Sequence, residues 1–208
     1  MVELKFALAL LFYPRQAFVA LKIERSRTGY LGDIAMLVSV VLVRIAFIYT
    51  THFPLAALKP RDSNLLLEVV RMVIPLLTWV VANSAVTSIF GGEVMPRQTL
   101  KASVFAMLPY VVLTIPLALV SRALGAGEEA FFVALQTLIL TWVGGLLFYA
   151  VMVLNDYTIV KTIWICVLSI IGMLLLWAVL LLAYALTGQL YSFISRFALE
   201  LKMLYLER

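Results

Sequence analysis

Runs of apolar residues, each about the length of a bilayer crossing and each closed by polar or helix-breaking residues, recur five times along the chain. A helix rises 1.5 Å per residue, so about 20 apolar residues cross the ~30 Å hydrocarbon layer. The first run covers about residues 34–53 and ends at Pro54, Pro60 and the cluster Lys59, Arg61, Asp62. The second covers 67–90, carries Glu68 and Arg71 in its opening turns, and stops at Gly91-Gly92, where successive glycines favour a helix end. The third covers 102–119 and is interrupted by Pro109 and Pro116. Each proline removes an amide donor and clashes with the preceding turn, so a kink or local unwinding is expected there. The fourth covers 131–154 and closes on Asn155-Asp156-Tyr157. The fifth begins after Lys161 and runs to about Leu186, where Thr187, Gly188 and Gln189 are expected to break it.

The two ends of the chain read differently. Within residues 1–33, short apolar stretches at 6–13 and 17–21 flank Pro14, among Lys5, Arg15, Lys22, Arg25 and Arg27. Neither is long enough to span. The pattern predicts an amphipathic helix at the interface, broken at Pro14, then a turn around Gly29 and Gly32. A basic stretch followed by a small-residue cleavage site is missing here, so the segment is expected to be retained. Residues 187–208 place Leu190, Phe193, Ile194, Phe197, Leu201, Leu204 and Tyr205 at helical intervals, with Ser192, Arg196, Glu200 and Glu207 among them. That predicts an amphipathic tail helix, lying on the membrane or extending the fifth helix onto a partner. The expected architecture is an all-α polytopic integral membrane protein. It forms one membrane domain, with an interfacial segment (1–33), a bundle of about five transmembrane helices (34–186) and an amphipathic tail (187–208).

Composition strengthens this picture: 64% of residues are hydrophobic and 13% charged, where soluble domains carry roughly 25% charged residues. The net charge of +5 is spread over short segments between apolar runs, which suits anionic headgroups and topology signals and not nucleic acid. With the amino terminus cytoplasmic, the inner segments hold Lys5, Arg15, Lys22, Arg25, Arg27, Arg97, Lys101 and Lys161. The outer ones hold Lys59, Arg61, Arg122, Arg196, Lys202 and Arg208. The bias favours that orientation. A single cysteine, Cys166, and a single histidine, His52, offer neither a disulfide framework nor a metal site. Gly91-Gly92 and Gly144-Gly145 lack the lysine, further glycines and strand context of a nucleotide loop. No cofactor and no enzymatic activity are expected.

Several polar groups nevertheless fall in costly places. Arg44 lies between Leu42-Val43 and Ile45-Ala46 near the middle of the first run, where an unpaired guanidinium costs about 2.5–3.5 kcal/mol on insertion scales. Glu68, Glu93 and Asp156 are candidate partners, and a partner subunit or a lipid headgroup is an alternative. Glu68 and Arg71 are spaced to pair on one helix face. In the second run Trp79, Asn83 and Thr87 share a face, with Ser84 and Ser88 as a small-residue patch beside it. Gln136, Thr137 and Thr141 with Gly144-Gly145 give the fourth run a similar face, so these two helices are expected at the centre of the bundle. The favoured role of these groups is helix packing and a buried polar network; a polar pocket is the alternative.

The chain resembles the Yip (Ypt-interacting protein) domain family of small polytopic membrane proteins. The likeness rests on the opening segment Phe12-Tyr13-Pro14-Arg15-Gln16-Ala17-Phe18, the turn Gly91-Gly92-Glu93, the interrupted Leu108-Pro109-Tyr110, and Asn155-Asp156-Tyr157 leading to Lys161. It implies five helices and a cytoplasmic amino terminus. The family's eukaryotic members are adaptors that bind small GTPases in vesicle traffic; some bacterial members look like accessory subunits of ABC-type transporters. The compact 1–33 segment and the amphipathic tail look more like the bacterial type, in a bacterial cell membrane. The leading expectation is a non-catalytic scaffold or accessory subunit that contacts lipid and binds another integral membrane protein, an ABC-type transporter among the candidates. The alternatives are a small transporter or channel around Arg44 and the second helix, and a trafficking adaptor for small GTPases.

Overall fold

The computed structural model describes residues 10–11, 13–23, 30–51 and 64–206, the side chains of residues 30, 126 and 198–206 excepted. His52, Phe12 and the loop residues Pro54, Lys59, Pro60, Arg61 and Asp62 lie outside that range, as do Arg25, Arg27 and Gly29. The helices are α1 (Pro14–Ile23), α2 (Tyr30–Thr50), α3 (Leu65–Ile89), α4 (Pro96–Ala106), α5 (Leu108–Val120), α6 (Glu129–Leu154) and α7 (Ile159–Leu206), with a 3-10 turn at Ala126–Glu128. No strand occurs among the described residues. Five stretches are long and apolar enough to cross a membrane: Leu31–Thr50, Leu65–Ile89, Pro96–Val120, Glu129–Leu154 and Ile159–Phe197. The fold is all-α.

Local chemistry sets the boundaries. Asn64 caps α3 by accepting a hydrogen bond from the Leu66 amide at 3.0 Å. At the other end Gly91 takes φ +74° and the Gly92 amide donates back to the Thr87 carbonyl at 2.7 Å, which closes the last turn on a left-handed residue. Pro75 sits inside α3 and withholds a donor from the Arg71 carbonyl. The third span divides at Met107 into α4 and α5. Pro109, at the start of α5, has no amide to continue the ladder, and the Met107 amide turns to the Val104 carbonyl at 3.2 Å. Pro116 lies within α5, which runs on past it.

More than half of the most apolar part of the third span is buried, against at most a third in any other span. It therefore forms the centre of the bundle, in place of the second and fourth. Its small residues Ala102, Ser103, Ala106 and Ala118, all buried, let neighbouring helices approach closely. One core cluster joins Leu10, Phe18 and Leu21 to Phe105 and Ala106 of α4 and to Leu146 and Leu154 of α6. The apolar stripe of α1 is thus docked on the bundle, while Arg15, Gln16, Val19 and Ala20 face outward. A second cluster brings Val40 and Phe47 of α2 against Tyr110 and Leu117 of α5 and Phe132 and Ile139 of α6. The main packing partner of α7 is α3.

The expected break at Thr187-Gly188-Gln189 is absent: α7 continues through it to Leu206. One glycine costs a helix only about 1 kcal/mol relative to alanine, keeps its amide donor, and here is followed by no proline. At 48 residues the helix is ~72 Å long, over twice the ~30 Å hydrocarbon layer. Because successive spans alternate in direction, α1, the α3–α4 turn and the α6–α7 turn gather at one end of the bundle. The end of α2, the start of α3, the α5–α6 connection and the far half of α7 lie at the other.

Candidate functional site

At the amino-terminal end of the bundle two helix ends of the same construction meet. Asp156, at φ +52°, terminates α6 as Gly91 terminates α3, and the Tyr157 amide donates to the Met152 carbonyl at 3.0 Å. Asp tolerates the left-handed region better than most residues. The two turns press together at Gly92. A Cβ there would stand 2.5 Å from Asn155 Oδ1, 2.8 Å from the Tyr157 hydroxyl and 2.9 Å from the Thr87 carbonyl oxygen, so only glycine fits.

Polar contacts hold the junction. The Tyr157 hydroxyl reaches the Thr87 carbonyl at 3.5 Å. Burial pushes its phenol above the ordinary value of 10, so it stays a neutral donor. The Lys161 ammonium donates to the Phe90 carbonyl at 3.1 Å, which suits the electronegative end of α3, and lies 4.0 Å from the Tyr157 ring centre. Lys22 of α1 pairs with Asp156. Beside this junction opens a pocket of about 280 Å³, lined among others by Lys22, Gly91, Glu93, Gln98, Asn155 and Asp156.

A second polar centre sits near the opposite end. Glu68, 3% exposed, takes Arg44 Nε on Oε2 at 2.9 Å and Arg71 Nη1 on Oε1 at 3.0 Å. Arg44 is largely buried and Arg71 is 56% exposed. The Arg44 guanidinium stands 5.9 Å from the Phe47 ring centre, and the Tyr110 hydroxyl, buried near Arg44, makes no hydrogen bond to a described residue. Arg44 falls six residues before the end of α2, ~9 Å along the axis, nearer the boundary than its place in the apolar run implied. Of the three acids near in character, the structure brings Glu68 to Arg44 and leaves Glu93 and Asp156 at the far end.

Between α3 and α7 runs a third set of contacts. Asn83 Nδ2 donates to Ser169 Oγ at 3.1 Å, both side chains buried. Trp177 Nε1 donates to Thr78 Oγ1 at 3.2 Å. Ser84 is buried, whereas Ser88 is exposed and bonds back to the Ser84 carbonyl at 2.7 Å. Gly144 and Gly145, expected at a helix contact, are exposed, with nothing within 4 Å of the place a Cβ would take. Within this chain they serve no close approach. They share the outer surface of α6 with Thr137 and Thr141, which bond only to their own helix. The described residues contain no group of three His, Cys, Asp or Glu able to hold a metal.

Sequence reasoning missed Lys22 as the partner of Asp156, and Ser169 and Trp177 as members of these networks. Ser169 had a readable signal, as an isolated hydroxyl in a long apolar helix. Lys22 had none beyond its place at the end of an amphipathic stripe.

The segments that converge at the amino-terminal end are far apart in sequence, and a family model described as the Yip1 domain matches the chain over residues 8–181. The chain belongs to the Yip1 domain family. No curated protein and no solved structure shows a significant match to it. The Yip1 match takes in α1, both polar centres and the α3–α7 contacts, and it stops within α7. This is a Yip-domain integral membrane protein with five spanning helices.

Proposed function

We propose that this Yip1 domain protein is a non-catalytic membrane adaptor whose last helix carries a partner protein. The observation that supports this most is the far half of α7. Residues 162–195 contain no charged side chain, ~51 Å of helix at 1.5 Å per residue. Every residue from 177 to 197 is exposed within this chain. An uncharged, largely apolar helix is covered by lipid or protein, and the hydrocarbon layer is only ~30 Å thick. Tilting takes up some of the excess; a partner covers the remainder. The uncovered Thr137, Thr141, Gly144, Gly145 face of α6 offers a second surface where another helix can pack closely.

Yip1 membership favours the adaptor over a transport role. Two partner classes follow. The family's adaptors point to a small GTPase, and the apolar character of α7 points to a polytopic protein such as an ABC-type transporter. The reading carries with it a cytoplasmic amino terminus, bacterial-type affinities within the family and a place in a bacterial cell membrane. Affinity purification of the full chain from its native membrane in mild detergent tests it. Co-purification of a stoichiometric GTPase or polytopic protein is expected; a protein that runs alone or only with itself contradicts the proposal.

A further inference from the structure

The pocket at the amino-terminal end has no role in helix packing or in the α7 surface. Its walls come from three separate places: Lys22 on α1, Glu93 and Gln98 at the α3–α4 turn, and Asn155 and Asp156 at the α6–α7 turn. All three lie at the end of the bundle where spans leave the bilayer, so the pocket sits at headgroup level. Its volume of about 280 Å³ is just under the roughly 300 Å³ at which small-molecule pockets begin, suited to a headgroup-sized ligand.

The open valences define the chemistry. Glu93 is exposed, and its carboxylate meets no cation among the described residues. Asp156 gives one oxygen, Oδ2, to Lys22 and keeps the other. Gln98 Oε1 accepts from the Met95 amide at 3.2 Å, which leaves its NH₂ group as a donor, and the Lys22 ammonium has protons beyond the one it gives Asp156. The three charged side chains lining the pocket, Lys22, Glu93 and Asp156, sum to −1. The site therefore offers carboxylates to a cation and, beside them, ammonium and amide donors to an anion.

We propose that this pocket binds a zwitterionic aminoalkyl phosphate, the chemistry of a phosphoethanolamine headgroup. The ligand's ammonium lies between Glu93 and the free oxygen of Asp156, and its phosphate oxygens take the Lys22 and Gln98 donors. An anionic headgroup lacking the ammonium, such as phosphoglycerol, leaves Glu93 and the free oxygen of Asp156 without a cation, next to its own charge.

Native mass spectrometry of the full chain released from nanodiscs of phosphatidylcholine, phosphatidylethanolamine and phosphatidylglycerol in equal parts tests this. Phosphatidylethanolamine should be retained over phosphatidylglycerol by about fivefold, the scale of one partly exposed charge contact of ~1 kcal/mol. Glu93→Gln, which disturbs no ion pair or hydrogen bond among the described residues, should bring the ratio close to one. Arg71→Gln, at the opposite end, should leave it unchanged. Soluble phosphoethanolamine is added in a second arm: if it displaces the retained lipid, the site takes the free compound as well, and if not, it takes the headgroup only as lipid. Equal retention of the two lipids, or a preference that survives Glu93→Gln, overturns the proposal.

Discussion

Replacing Glu68 by Gln removes the one carboxylate that neutralises two arginines, and the structure assigns the cost. Glu68 is 3% exposed and holds Arg44 at 2.9 Å and Arg71 at 3.0 Å. Arg71, 56% exposed, reaches water or headgroups without it, so the Arg71 contact contributes only ~0–1 kcal/mol. Arg44 is different. At 17% exposure it is left as a buried unpaired charge, a defect of ~3–5 kcal/mol in folded proteins. Its position ~9 Å from the end of α2 allows partial escape toward the interface, which brings the expected loss to about 3 kcal/mol, near insertion scales for a central Arg. Unfolding of the purified protein in mixed detergent micelles, followed by far-UV circular dichroism, should show Glu68→Gln destabilised by about 3 kcal/mol and Arg71→Gln by under about 1 kcal/mol. The double variant Arg44→Leu, Glu68→Leu should recover most of the loss, since apolar replacement of a buried pair is often neutral. If Glu68→Gln unfolds like the parent, or the double variant is as weak as the single, the account of this centre is wrong.

Other expectations follow from single contacts. Gly92→Ala places a methyl 2.5 Å from Asn155 Oδ1 and should lower stability in the same assay by about 1–3 kcal/mol; a neutral result would mean the two turns do not press together. Gly145→Ala, where a Cβ meets open space, should be tolerated or stabilise α6 by up to about 1 kcal/mol, and a loss of stability in the purified monomer would contradict the exposed placement. A double-mutant cycle on Asn83→Ala and Ser169→Ala should give a coupling of roughly 0.6–1.7 kcal/mol, and additive effects would remove the α3–α7 hydrogen bond from the account.

The spans were legible because bilayer thickness fixes their length, and Gly91-Gly92 and Asn155-Asp156 were legible as ends because few residues accept the left-handed geometry that closes a helix. What pairs across the fold was not. Glu68, Glu93 and Asp156 look alike in sequence as partners for Arg44, and only the antiparallel α2–α3 arrangement selects Glu68. The glycines of α6 carry the same pattern whether they face a neighbour or lipid, so sequence placed them inward and the structure places them outward. The third span was expected to kink or unwind at Pro109 and Pro116, yet its buried small residues make it the centre. Gly188 resembled a stop, but a lone glycine without a following proline does not end a helix whose neighbours favour continuing. The convergence of Gly92, Asn155 and Tyr157 depends on contacts over more than sixty residues of sequence, which local pattern does not encode.

The adaptor reading rests on what covers the far half of α7. A photoreactive amino acid in place of Phe193, 67% exposed, and another in place of Leu174, 61% exposed, would be irradiated in native membranes and the products identified by mass spectrometry. A discrete adduct between position 193 and one membrane-associated protein is expected, with position 174 giving mainly lipid products. Lipid products alone from both positions would contradict it.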